Sequence, residues 1–204
     1  MNRARVWLAG LGLLSLGLLF AFAGSGNGGD DDKVKIEKAR KSVLKIAAAL
    51  EKKDNTAAAA EAKALAKSLK DFDEIENVMA VFKLREKNGL GVGSKRDGIV
   101  PDGIELKLLG IARDAPGQNA ANKEAEALEK MAYVIAAVAE VALAKPPDRD
   151  EGKKKKKDFI RWAKDMRDAA PGLAVAAKSK SPAEIQKAAA KINSACTNCH
   201  SVFK

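Results

Sequence analysis

The residues with the most distinctive chemistry lie together near the C-terminus of the chain. The 204 residues include two cysteines and one histidine, and all three fall within Cys196-Thr197-Asn198-Cys199-His200. This C-x-x-C-H spacing is the attachment signature for a c-type haem. Two thiols can add to the two vinyl groups of one porphyrin, and the adjacent imidazole can reach the iron as proximal ligand. The sequence therefore predicts one covalently attached haem c with its iron on His200.

A helix would present these three groups on one face. Steps of three and four residues place the two thiols and the imidazole within an arc of about 100°. The surrounding apolar positions have the spacing of a bundle seam, namely Ile185, Ala189, Ile192, Cys196, Cys199 and Phe203. Both thiols are therefore predicted to face the core of a helical bundle.

Other uses of a C-x-x-C pair fit the sequence less well. A thioredoxin-type pair belongs at a helix N-terminus after a strand, whereas this pair ends a helix in a chain without strand patterns. A structural zinc site needs four ligands, and the motif supplies three with no second pair elsewhere. A chance motif in an exported helical interaction module is the remaining alternative.

Composition and periodicity predict an all-α fold. Aromatic residues make up only 4% of the chain, and the abundance of Ala, Leu, Lys and Glu favours helices over sheets. Amphipathic patterns predict helices over residues 33–51, about 56–82 with a break near 71–73, 122–144, about 158–178 with a kink or interruption at Pro171-Gly172, and 182–204. This is a four-helix-bundle-like architecture with an extra helix.

Residues 88–118 interrupt the helical pattern with a long Gly-rich insertion. Most of it is predicted to be loop, with a short helix over residues 104–112. The run Gly91-Val92-Gly93 invites comparison with a phosphate-binding loop. However, Arg96 stands where a dinucleotide fingerprint needs Gly, and no Gly-Lys-Ser/Thr follows. We therefore predict a structured connection that packs over the bundle.

The N-terminus has the pattern of an export signal. Residues 1–23 combine Arg3 and Arg5, an apolar stretch and an A-x-A cleavage site, which is typical of a secretory signal peptide. An uncleaved membrane anchor is the alternative, because the apolar stretch is about long enough to span a bilayer. Residues 24–32 are predicted to be a flexible acidic linker, and residues 33–204 the helical haem-binding domain. We expect a periplasmic or otherwise exported protein.

The chain is basic, with a formal net charge of +10. Export makes nucleic acid an improbable partner, so the charge favours acidic protein surfaces or anionic lipid headgroups. Five consecutive lysines, Lys153 to Lys157, are either a solvated first turn or a docking face for an acidic redox partner. We expect contact with a membrane only through this surface charge or through an uncleaved N-terminal anchor.

The C-terminal part of the chain resembles the cytochrome c′ family, the class II c-type cytochromes. The resemblance is carried by the amphipathic helix that starts at Asp158, the turn Lys178-Ser179-Lys180-Ser181-Pro182 and the ending KINSACTNCHSVFK. It is weaker over residues 124–147 and 33–69. It implies a four-helix bundle with haem near one end, used for electron transfer or for binding small gases.

The resemblance also implies candidates for the sixth iron ligand. In six-coordinate relatives a Met lies in the N-terminal part of an early helix antiparallel to the haem helix. Met131 matches that position best, with Met79 second and Met166 third.

We expect an electron-transferring monohaem cytochrome that is not an enzyme. The alternative is a pentacoordinate haem that binds nitric oxide or carbon monoxide, and homodimers are common in the resembled family.

Overall fold

The computed structural model describes residues 28–96 and 98–203, which form helices and loops without named strands. The helices are α1 (Gly28–Glu51), α2 (Asn55–Ser68), α3 (Ile75–Met79), α4 (Ile104–Arg113), α5 (Gln118–Ala144), α6 (Lys156–Ser179) and α7 (Pro182–Phe203). The all-α prediction is confirmed. The predicted signal peptide lies outside the described residues. None of the helices in the described ranges is long and apolar enough to span a bilayer.

Helix α5 is the centre of the packing. It contacts α6 on one side and α1 and α2 on the other, while α7 packs on α6 and α4 packs on α7. Between Val134 and Ala142 every residue of α5 except Glu140 is buried. A helix that is apolar on nearly all sides must be covered on nearly all sides. The alanines in this run let the neighbouring helices approach closely, so α5 joins the first and second halves of the chain.

Two sequence-based expectations about element boundaries have different outcomes. Helix α2 ends at Ser68 and α3 begins at Ile75, so the predicted break near residues 71–73 is present. The predicted linker was wrong for residues 28–32, because α1 already begins at Gly28. Acidic residues such as Asp31 and Asp32 favour a helix N-terminus through the helix dipole. Residues 24–27 lie outside the described part of the chain.

Of the kink or interruption expected at Pro171-Gly172, the interruption does not occur, because α6 is continuous from Lys156 to Ser179. Proline removes one backbone hydrogen bond, at a cost of about 3 kcal/mol in a helix interior. The side chains of Ala170, Leu173 and Ala174 are all buried around it. Tertiary packing of this apolar face therefore offsets the free-energy cost of a proline inside the helix.

The Gly-rich insertion is a structured connection, as predicted. An isolated antiparallel bridge joins Leu84 to Gly103 at its base. The Arg85 guanidinium binds both carboxylate oxygens of Asp102, with Nε to Oδ2 at 2.9 Å and Nη2 to Oδ1 at 3.2 Å. Asp102 Oδ1 also accepts a hydrogen bond from the backbone N–H of Val92 at 3.0 Å. One bidentate ion pair thus closes the insertion and fixes its middle.

The middle of the insertion contributes to the hydrophobic core. Val92 is 1% exposed and belongs to the main core cluster. Gly91 beside it has φ +74°, and a Cβ atom there would lie 2.4 Å from the Arg85 guanidinium. Only glycine combines this left-handed backbone with the close approach of Arg85. The glycines of this segment therefore serve folding, which agrees with the rejection of a phosphate-binding loop.

The outer helix α4 is attached to the bundle at two points. Lys107 Nζ lies 2.7 Å from Glu124 Oε2 of α5, and both side chains are largely buried. The Gln186 side chain of α7 donates to the carbonyl of Arg113 at 3.1 Å. The predicted short helix over residues 104–112 is thus present and fixed against both α5 and α7.

We predict that Asp102→Ala lowers the free energy of unfolding by about 2–3 kcal/mol, because it removes a mostly buried partner of Arg85 and of the Val92 N–H. For a chain of this size the Tm should fall by about 4–12 °C. Asp165→Ala, at an exposed position of α6, is the matched control. Equal thermal stability of the two variants would show that the ion pair does not close the insertion.

Candidate functional site

Helix α7 places the C-x-x-C-H motif at the end of the bundle. Its inner face consists of five buried apolar residues, Ile185, Ala188, Ala189, Ile192 and Ala195. Cys196 and Cys199 continue this face and are half-buried, whereas His200 is exposed. The thiols therefore face the protein interior and the imidazole lies at the solvent edge. The prediction that both thiols face the core is confirmed.

The two thiols have different surroundings. Cys196 Sγ lies 3.7 Å from Met166 Sδ of α6. Cys199 packs on a small apolar cluster around Ala142, Phe159 and Ala163, which also includes Phe72, Met79, Leu143 and Phe203. We call this group the terminal cluster. It is assembled from the end of α5, the start of α6, the end of α7 and the segment that contains α3.

Aromatic rings dominate the terminal cluster. The Phe203 ring contacts Phe159, Phe72 and Trp162 edge-on, at centroid distances of 5.2, 6.0 and 6.2 Å. Phe72 and Phe159 also contact each other at 5.0 Å. Arg161 lies over the Trp162 ring at 5.3 Å. Such edge-to-face arrangements stabilise a structure by more than their buried area alone would. We call Phe72, Phe159, Trp162 and Phe203 the aromatic wall, and the thiols adjoin it.

Burial keeps both thiols protonated at neutral pH. It raises the pKa of Cys196 to about 12, with smaller contributions from Cys199 and Glu105. Burial likewise raises the pKa of Cys199 to about 11. Both residues lie near the C-terminus of α7, where the helix dipole disfavours an anion. A redox-active C-x-x-C pair needs a lowered thiol pKa, so the geometry disfavours the thioredoxin alternative.

The structure brings some of the candidate methionines to the thiols and not others. Met166 touches Cys196, and Met79 lies in the terminal cluster with Cys199. Met131 is 3% exposed in the middle of α5. It lies twelve residues before Leu143 of the terminal cluster, which corresponds to about 18 Å along the helix. Met131 is therefore not brought together with the thiols.

The residues at this end fit a covalently attached haem. Two thiols and an imidazole on successive turns of one helix are the donor set that a haem c requires. The aliphatic and aromatic side chains beside them suit the faces of a porphyrin. No group of three or more His, Cys, Asp and Glu side chains within residues 28–96 and 98–203 is arranged to hold a bare metal ion.

Residues 110–204 match the family model described as Cytochrome C′. This part of the chain, slightly less than half of its 204 residues, is therefore similar to the cytochrome c′ family. The cytochrome c′ region comprises α5, α6, α7 and the end of α4, and it includes the thiols and the imidazole. The similarity, together with the C-x-x-C-H motif inside the matched region, indicates a c-type haem protein with covalently bound haem c and iron. No curated protein and no solved structure matches the chain.

The aromatic wall was not found as a group by sequence reasoning. Phe159, Trp162 and Phe203 lie on the apolar faces of α6 and α7, which the periodicity identified. Phe72 belongs to the helical pattern predicted over residues 56–82, but in the structure it lies in the connection between α2 and α3. Their convergence on Cys199 depends on how α6, α7 and the α2–α3 connection meet, and no spacing in the sequence encodes that meeting.

We predict that the mature protein retains haem after denaturation in detergent, because two thioether bonds hold it. The double variant Cys196→Ala, Cys199→Ala should lose all haem from the denatured chain. Ser201→Ala, an exposed change on the same helix, should retain haem at the wild-type level. Haem staining of denaturing gels measures all three, and haem retained by the double variant would contradict thioether attachment at this motif.

Proposed function

We propose that this chain is an exported monohaem c-type cytochrome that transfers single electrons between partner proteins, and that it is not an enzyme in its own right. The observation that carries the proposal is the position of the motif. Its thiols adjoin the terminal cluster, while His200 lies exposed at the end of the bundle. When bound there, a haem supplies a one-electron ferric/ferrous couple.

The terminal cluster would influence the reduction potential of that couple. Phe159 is 3% exposed, and its neighbours Phe72 and Phe203 are only partly buried. The aromatic wall excludes water on the side of α6, and a drier environment changes the reduction potential of an attached iron centre. Trp162 and Phe203 continue this wall to the surface, so the site combines burial with an accessible edge.

The placement of Met79 supports a thioether as sixth ligand. Met79 is half-buried in the terminal cluster with Cys199, and it ends α3 next to a short 3-10 turn. This short segment is held by few helical hydrogen bonds, so it can adjust to a ligand more easily than the middle of a long helix. We therefore favour Met79 over Met131, and a thioether ligand would raise the potential.

We predict that Met79→Ala removes the weak sulfur-to-iron charge-transfer band from the visible spectrum of the oxidised protein and produces a high-spin form. Met131→Ala and Met166→Ala should retain the band. If the wild-type protein is itself high-spin and binds carbon monoxide or nitric oxide, the gas-binding alternative replaces electron transfer. If only Met131→Ala removes the band, the sixth ligand is on α5.

A basic surface lies at the same end of the bundle as the thiols. Lys153, Lys154 and Lys157 are exposed just before and in the first turn of α6. Two residues later, Phe159 contacts the ring of Phe203, which follows the C-x-x-C-H motif by three residues. The lysine run is therefore close to the attachment site. Such a face attracts an acidic redox partner and speeds association at low ionic strength.

We predict that the reduced protein reacts with hexacyanoferrate(III), an anionic oxidant, at a rate that falls as salt is added. Replacing Lys153, Lys154 and Lys157 by Gln should lower the rate about threefold to tenfold at low ionic strength, because the local attraction is lost. The control replaces Lys52, Lys53 and Lys187 by Gln. These lysines are exposed in the other half of the bundle, so equal rates for the two triple variants would contradict a docking role for the run.

A further inference from the structure

A second concave site lies between the Gly-rich insertion, α1 and α5. It is a groove with a volume of about 560 Å³, which is within the range of small-molecule sites. Its apolar lining consists mainly of Leu44, Leu90, Ile99, Met131 and Val134. Val134 lies nine residues before Leu143, about 13 Å along α5. The groove is thus separate from the terminal cluster and from the attached thiols.

The lining is partly exposed in a way that packing alone does not explain. Leu44 of α1 borders the groove and is 49% exposed. Met131 and Val134 form the floor at 3% and 7% exposed. An apolar floor with an exposed apolar edge is the usual lining of a site for an apolar molecule. Because the floor is recessed, it suits a free small molecule better than a flat protein or membrane surface.

The rim of the groove is cationic. Lys95 and Lys123 border it and make no ion pair with any carboxylate of the described residues. Glu126 is the carboxylate of the rim, and Lys130 binds it at 2.6 Å. This hydrogen bond and the charge of Lys130 lower the pKa of Glu126, so its charge is matched within the pair. Among the described residues of the rim, the charges left without a partner are positive.

Arg40 provides an unused donor at the same place. Its Nη1 binds Glu37 at 3.3 Å. Its Nε is buried and has no hydrogen-bond partner among the described residues, although Arg40 lines the groove. A buried donor without an acceptor is unfavourable. Because Nε itself is covered, an anionic head in the groove would form its charge-assisted hydrogen bond with the exposed part of the guanidinium, whose side chain is 29% exposed.

From these observations we infer that the groove between α1, α5 and the insertion binds a small anionic amphiphile, such as a medium-chain carboxylate. Its apolar body lies on Met131, Val134 and Leu44, and its head binds Arg40 between Lys95 and Lys123. This site is independent of the haem-attachment residues and of the proposed electron transfer.

Calorimetric titration of the mature haem-containing protein with octanoate tests the inference, with 1-octanol and acetate as probes that lack the charge or the apolar body. We expect one octanoate per chain, bound at least tenfold more tightly than either probe. Arg40→Gln should weaken octanoate binding about tenfold or more, because a charge-assisted bond is lost. Lys123→Gln, at the exposed rim, should weaken it by a smaller factor.

Lys41→Gln is the matched control, because Lys41 is the next residue of α1 and 72% of its side chain is exposed. It should bind octanoate as the wild type does, and circular dichroism should show the same helix content in all variants. The inference is overturned if octanoate does not bind. It is also overturned if 1-octanol binds as tightly as octanoate, or if Arg40→Gln and Lys41→Gln bind octanoate equally well.

Discussion

The site depends on one constraint: three groups that must bind the same cofactor lie on five consecutive residues of one helix. Because Cys196, Cys199 and His200 share a narrow arc of α7, the rest of the fold can build only the opposite wall. That wall comes from α6, whose Met166 contacts Cys196 and whose Phe159 contacts Phe203. The packing of α6 on α7 therefore controls the burial of both thiols, and through it their raised pKa values.

The first half of the chain completes what the cytochrome c′ region leaves open. The family match begins at residue 110, so α1, α2 and α3 precede it. Helices α1 and α2 cover the second side of α5, while Phe72 and Met79 close the terminal cluster. The Arg85–Asp102 ion pair closes the insertion and places Val92 in the core. The haem end is therefore shaped by residues outside the matched region.

The same helices provide two chemically different environments. At the C-terminal end of α5, Ala142 and Leu143 join an aromatic wall next to two neutral thiols. In its N-terminal half, Lys123 and Met131 border a groove with a cationic rim and an apolar floor. Charge is concentrated where water remains accessible, and aromatic rings where it is excluded. This separation arises because the lysines of α5 lie on its exposed side and its small apolar residues lie on its buried side.

The sequence by itself determined the elements and the chemistry that lies within one helix. These features are local, because their spacing is set by the turns of a helix. They are the haem-attachment motif, the five helical patterns, the break near residues 71–73 and the short helix in the insertion. Only the tertiary structure decided which residues meet. Pro171 stays inside a helix because buried neighbours hold it, and Phe72 and Met79 reach Cys199 from a distant segment. Met131, the best match by sequence, lies far from the thiols because its position along α5 fixes its distance from them.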